Sequence, residues 1–117
     1  MPMKYPLPVM QHVINNKLTS TQRKVWLWYA KRMPNHGAKT FLRFCKDNMI
    51  NRSYGYQIAR NLWFVGLLTD DDILSKSREI PKTWLHIDKN TRDGSGIRKL
   101  QKIINSALKD FERGKLK

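Results

Sequence analysis

Apolar positions recur along this chain at helical spacing in its first half and at its end, and in β-like alternation between. Val9-Met10-Gln11-His12-Val13-Ile14 predicts one or two helical turns that open at Pro8, and Asn15-Asn16 closes them. Thr19 is followed three residues later by Gln22, the spacing of a capping box, so a helix is expected from Ser20 to about Met33, where Pro34 stops it. Val25, Trp28, Tyr29 and Arg32 share one face of that helix, and Trp26, Ala30 and Met33 another. Apolar groups on more than one face predict burial on several sides. Thr40 is the expected N-cap of a short helix running to Asp47 or Asn48, with Phe41, Phe44 and Cys45 inward and Arg43 and Lys46 outward. After the turn Asn48-Met49-Ile50-Asn51, a third helix capped by Asn51 or Ser53 should reach Phe64 or Val65. Gly66 would end it in the left-handed conformation.

The spacing then changes. Leu67-Leu68-Thr69 and Thr83-Trp84-Leu85-His86-Ile87 predict two strands joined across Asp70-Asp71-Asp72 and residues 73–81, with Pro81 at an edge or bulge. A polar linker with two glycines, 88–96, leads to Ile97, Leu100, Ile104, Ala107 or Leu108, and Phe111. These recur at spacings of three and four, as in an amphipathic helix from about Ser95 to Arg113, closed by Gly114. The expected division is a lead with a short helix (1–17), a central domain (18–88), and a linker with the C-terminal helix (89–117).

Composition narrows the class. The 117 residues fit one domain, and four Trp, four Tyr and four Phe within a 40% hydrophobic chain are too many for a disordered tail. The longest apolar run, Val25–Ala30, is far below the ~20 residues of a membrane span, and Pro6 and Pro8 interrupt any signal-peptide core. Cys45 is the single cysteine, which rules out an internal disulfide and a cysteine zinc site. Its place on the apolar stripe predicts a buried, inert thiol. His12, His36 and His86 show no i, i+4 pairing. The acidic run Asp70–Asp72 with Glu79 and Asp88 reads as polar turns rather than a magnesium site. No phosphate loop and no nucleophile with its base is found, so neither cofactor nor metal is expected and the chain reads as no enzyme.

Charge points to a partner. The formal net charge is +14, of which residues 1–66 carry +10 with Asp47 their one acid, and residues 93–117 carry +4. Such an excess repels itself unless a polyanion neutralises it, which puts nucleic acid first, ahead of an anionic membrane or an acidic protein.

The element order is helix, helix, turn, helix, hairpin, helix. The ungapped segment Ile50-Asn51-Arg52-Ser53-Tyr54-Gly55-Tyr56-Gln57-Ile58-Ala59-Arg60-Asn61-Leu62-Trp63-Phe64-Val65-Gly66-Leu67-Leu68 resembles the recognition-helix segment of winged helix-turn-helix proteins. In particular, Leu18–Val25 is similar to the first core helix of phage and plasmid replication-protein N-terminal domains and of small transcriptional regulators. The resemblance runs from Leu18 to Ile87. It implies an α+β, mainly α fold, a winged helix-turn-helix with a three-helix core and a two-stranded β-wing, here with an additional C-terminal amphipathic helix. Gly55 departs from the pattern, which has Val or Thr there, and weakens the helix by about 1 kcal/mol unless a close helix crossing requires it.

A helix of this kind enters the major groove, where its first two turns reach base edges. With Ile58 and Leu62 inward, Arg52, Ser53, Tyr56, Gln57 and Arg60 become the candidate base contacts. Arg52 suits guanine and Gln57 adenine, each good pair discriminating by roughly 1–3 kcal/mol. Lys39, Thr40, Arg43, Tyr54 and Asn61, with Lys76 and Arg78 at the wing tip, are candidate backbone contacts. Six to eight phosphate contacts would give a log K against log salt slope of about −5 to −7.

The implied function is binding of double-stranded DNA, as a transcriptional regulator or replication-origin binder, in the cytoplasm and nucleoid of a bacterium or phage-infected cell. Two alternatives remain: a winged-helix interaction module for a replication or transcription machine, and a sequence-nonspecific DNA- or RNA-binding protein. Trp26, Trp28, Trp63 and Phe64 sit among aliphatics and read as core rather than stacking platforms. Ile97, Leu100, Ile104, Leu108 and Phe111 are the candidate dimerisation stripe of a homodimer. Arg98, Lys99, Lys102 and Lys109 beside it would otherwise lie on DNA flanks or an anionic membrane.

Overall fold

A computed structural model describes residues 5–31, 37–69, 72–74 and 92–115, with side chains from residue 96 onward in the last segment. Among the described residues the regular structure is entirely helical: α1 (Leu7–His12), continued by a π-helical turn at Val13–Lys17, then α2 (Ser20–Ala30), α3 (Ala38–Asp47), α4 (Arg52–Phe64) and α5 (Arg92–Glu112).

The expected β-wing is corrected here. Its first strand, Leu67–Thr69, is a bend, and no strand occurs among the described residues; residues 75–91, which held the rest of the wing with Lys76 and Arg78, lie outside them. The cause is visible in the backbone. Leu67 N–H and Leu68 N–H both donate to Leu62 O, at 2.9 and 3.3 Å, and Leu67 O accepts the Trp26 indole N–H at 2.9 Å. Groups that a ladder would need are already committed to a helix end and a tryptophan. Leu67 and Leu68 are also both buried, where a half-exposed strand would alternate. Thr69 and Asp72 then close a local turn, with Thr69 Oγ1 donating to Asp72 Oδ2 at 2.9 Å and accepting from Asp72 N–H at 3.2 Å.

Helix ends follow local rules. Thr19 Oγ1 accepts from Gln22 N–H and the Gln22 side chain accepts from Thr19 N–H, the full capping box. Asn51 Oδ1 accepts from Ser53 N–H and Tyr54 N–H. At the end of α4, Gly66 has φ 93°, Leu67 N–H reaches Leu62 O, and Gly66 N–H reaches Trp63 O at 3.0 Å, a Schellman motif. Gly114, φ 73°, closes α5 in the same way. So does Met49 after α3, at φ 56° and without glycine's freedom. Thr40 is not the cap of α3. The helix begins two residues earlier, behind Gly37, and Thr40 lies in its first turn. At the other end of the chain, α5 starts at Arg92, inside the stretch expected to be a linker.

One core joins all of these. Val9, Val13 and Ile14 meet Val25, Tyr29, Phe41, Leu62, Leu100 and Ile104 in a continuous buried cluster. Trp28, Tyr29, Phe41, Phe44 and Tyr56 form its aromatic part, with ring centroids 4.9–6.1 Å apart. Arg23 fastens α2 to the middle of the π-turn, donating to Ile14 O and Asn15 O at 3.0 and 2.9 Å. This holds its guanidinium on protein carbonyls. α5 packs on α1, on the π-turn and on α4. Its apolar stripe is therefore consumed within the chain. Ile97, Leu100 and Ile104 are buried, Leu108 is half-buried, and of the proposed dimer stripe Phe111 alone is exposed.

Candidate nucleic-acid interface

The candidate interface is built where α3 turns into α4. Gly55, in the second turn of α4, permits the approach: a Cβ there would lie 2.8 Å from Cys45 Sγ and 3.3 Å from Phe41 Cζ. Here is the close crossing that the departure from Val or Thr requires. Burial pushes the Cys45 thiol above its ordinary pKa, which keeps it protonated and unreactive.

Pinned by that crossing, α4 turns Gly55, Ile58, Ala59 and Leu62 inward. At 100° per residue the direction opposite their mean is occupied by Ser53, Gln57, Arg60 and Phe64. Ser53 and Phe64 are exposed, Gln57 and Arg60 half-buried. Arg52 and Tyr54 are exposed at the helix's first turn, on either side of that row. Asn51 satisfies two of the free N–H groups there, and no acidic residue sits in the first turn of α3 or α4 to offset the positive dipole ends.

α3 contributes a second row. Lys39, Arg43 and Lys46 stand at i, i+4 and i+7, all exposed, so three cations share one side of this helix. Thr40 is half-buried beside them. The two helices enclose a cleft of about 410 Å³ lined by Ala38 and Leu42 from α3 and by Arg52, Ser53 and Tyr56 from α4. Its lining combines the apolar Ala38 and Leu42 with the guanidinium of Arg52 and the hydroxyl-bearing Ser53 and Tyr56.

The structure thus brings Arg52 and Ser53 into one cleft, with Gln57 and Arg60 further along the same outer row. Two candidates fall inside instead. Tyr56 is 9% exposed, its ring 5.1 Å from that of Phe41, so it packs in the core with only an edge on the cleft. Asn61 is 8% exposed and faces α5, where a Cβ on Gly96 would meet its Nδ2 at 3.0 Å. The spacing of α4 alone turns both outward, because it carries no information about the helices that cover its flanks. Lys46 is the reverse case, a cation on the α3 row whose signal was the i+7 spacing from Lys39.

No protein-family model, curated protein or solved structure matches this chain. The site therefore rests on its own geometry. Among the described residues no group of three or more His, Cys, Asp or Glu is placed to hold a metal ion, and no helix is long and apolar enough to cross a membrane.

Proposed function

We propose that this chain binds double-stranded DNA by laying the first turns of α4 in the major groove while α3 holds the phosphate backbone. The reading uses a helix, a tight turn and a second helix, and it does not use a β-wing. Its principal support is one juxtaposition: Arg52 and Ser53 line a cleft with α3, and the exposed row Lys39, Arg43 and Lys46 runs along that same helix. Base reading falls to Arg52 and Gln57, with Ser53 and Arg60 beside them; backbone contact falls to Lys39, Thr40, Arg43, Lys46 and Tyr54. Regulation of transcription, or origin recognition in a phage or plasmid system, is the role the resemblance implies.

The test is selection of bound duplexes from a random pool, followed by titration of the winner and of random DNA at physiological salt. A base reader prefers the winner by about 10³-fold or more. Arg52→Ala and Gln57→Ala each weaken binding to the preferred duplex by about 1–3 kcal/mol and leave random DNA nearly untouched, whereas Lys39→Ala weakens both alike. Equal losses for all three variants would overturn base reading. Absence of any salt-dependent duplex binding would overturn the function and favour a protein-docking module.

A further inference from the structure

A second cationic surface lies away from the α3–α4 cleft. α1 with its π-turn and α5 stand near opposite ends of the sequence, yet they border one groove of about 240 Å³ lined by His12, Lys17, Lys102, Ile103, Ser106, Ala107 and Asp110. An adjoining hollow of about 400 Å³ is lined by Arg98, Lys99, Gln101, Lys102 and Asn105. Lys102 borders both. Along α5, Arg98, Lys102 and Lys109 are exposed and lie within about 40° of one another around the helix axis. They form a straight row about 16 Å long, a length that on a duplex carries about five phosphates per strand. Gln101, Asn105 and Ser106 alternate with the cations and supply neutral hydrogen-bond donors.

We infer that the Lys17–Lys102–Lys109 surface, with Arg98 and Lys99 at its end, is a second binding site for the sugar–phosphate backbone of a DNA duplex. It would engage the flank of the site that α4 reads. The inference rests on the duplex-binding reading above. A phospholipid surface is the other polyanion such a helix suggests, but membrane docking of an amphipathic helix needs its apolar face. That face of α5 is closed, with Leu100 2%, Ile104 0% and Ala107 3% exposed in the core. Beside that core-packed stripe, of which Phe111 near the helix end is the one exposed member, α5 presents Arg98, Lys99, Lys102 and Lys109 with Asn105 and Ser106, the chemistry of backbone contact. Asp110 also lines the groove, so phosphate contact falls to Lys17 and Lys102 there and to Lys109 on the outward row of α5.

The experiment uses the full chain, as wild type, as Arg52→Ala, and as the triple variant Lys17→Gln, Lys102→Gln, Lys109→Gln. All three substituted lysines are exposed, and an unchanged thermal midpoint certifies the fold. Affinities for the selected duplex and for a long random duplex are measured against salt, and binding to vesicles of phosphatidylserine and phosphatidylcholine is measured in parallel. Removing one lysine–phosphate pair makes the log–log slope shallower by about 0.9, so the triple variant should bind with a slope smaller than wild type by about 2 to 3. A wild-type slope in the triple variant overturns the second site while leaving the α4 reading intact. A reduced slope in the triple variant, together with Arg52→Ala behaving as wild type on every duplex, supports the second site and counts against α4. Vesicle binding that the triple variant abolishes, with duplex binding unchanged, overturns the proposal in favour of lipid. No duplex binding by the wild type overturns both readings.

Discussion

The approach of α3 to α4 decides how the candidate interface is presented, and Gly55→Ala tests it. In an open helix this substitution gains about 1 kcal/mol from propensity. Here the new Cβ would stand 2.8 Å from Cys45 Sγ and 3.3 Å from Phe41 Cζ. Heavy atoms of this kind pack best at roughly 3.5–4.0 Å, so the overlap with sulfur is deep. Neither neighbour can yield into solvent, since Cys45 is 1% and Phe41 0% exposed. Overpacking of this sort costs about 1–3 kcal/mol, which outweighs the propensity gain and leaves Gly55→Ala destabilised by about 1 kcal/mol. Urea titration followed by far-UV circular dichroism reads that loss, and a thermal scan should show a midpoint lower by about 4 °C. Cys45→Ala removes the atom that the new methyl strikes, so the double variant should be more stable than the sum of the single losses by about 1–2 kcal/mol. Duplex affinity should fall in Gly55→Ala and return in the double variant, because the same crossing holds Arg52 and Ser53 beside α3. A gain of about 1 kcal/mol from Gly55→Ala in the otherwise wild-type chain, unchanged by adding Cys45→Ala, would refute the close crossing.

Three further outcomes follow from the same packing. Met49 is 91% exposed at φ 56°; Met49→Gly loses no packing and should raise stability by up to about 1 kcal/mol, read by urea titration, while Met49→Val should lower it. Ile104 is 0% exposed where α5 meets the core, so Ile104→Ala should cost about 2–5 kcal/mol, with an unfolding midpoint independent of protein concentration. A midpoint that rises with concentration would instead place the stripe between two copies. The Cys45 thiol is raised by burial, so native protein should resist iodoacetamide while urea-unfolded protein reacts at once. Because the folded value is the higher, the thiol's contribution to stability is complete below the ordinary value of about 8.5 and fades as pH rises beyond it.

Local chemistry made much of this chain legible. Thr19 with Gln22, Asn51, Gly66 and Gly114 mark helix ends through hydrogen bonds within a few residues, and those bonds are nearly the same whatever the rest of the chain does. The apolar spacing of α4 and α5 likewise announced which residues need cover.

Cover itself is a long-range matter. Tyr56 and Asn61 stand on flanks of α4 that are outward in an isolated helix and become inward only once α3 and α5 arrive. The stripe Ile97–Ile104 can be closed by a second copy or by the chain's own α1 and α4, and periodicity is identical in both cases. Leu67-Leu68 satisfies the pattern of a buried strand as well as that of a capping turn. Hydrogen bonds to Leu62 O, and from the Trp26 indole forty-one positions earlier, decide for the turn. Lys17 and Lys102 become neighbours only through packing. Spacing along a polymer reports which groups must leave water; which partner receives them depends on how distant segments meet, and only the assembled core supplies that.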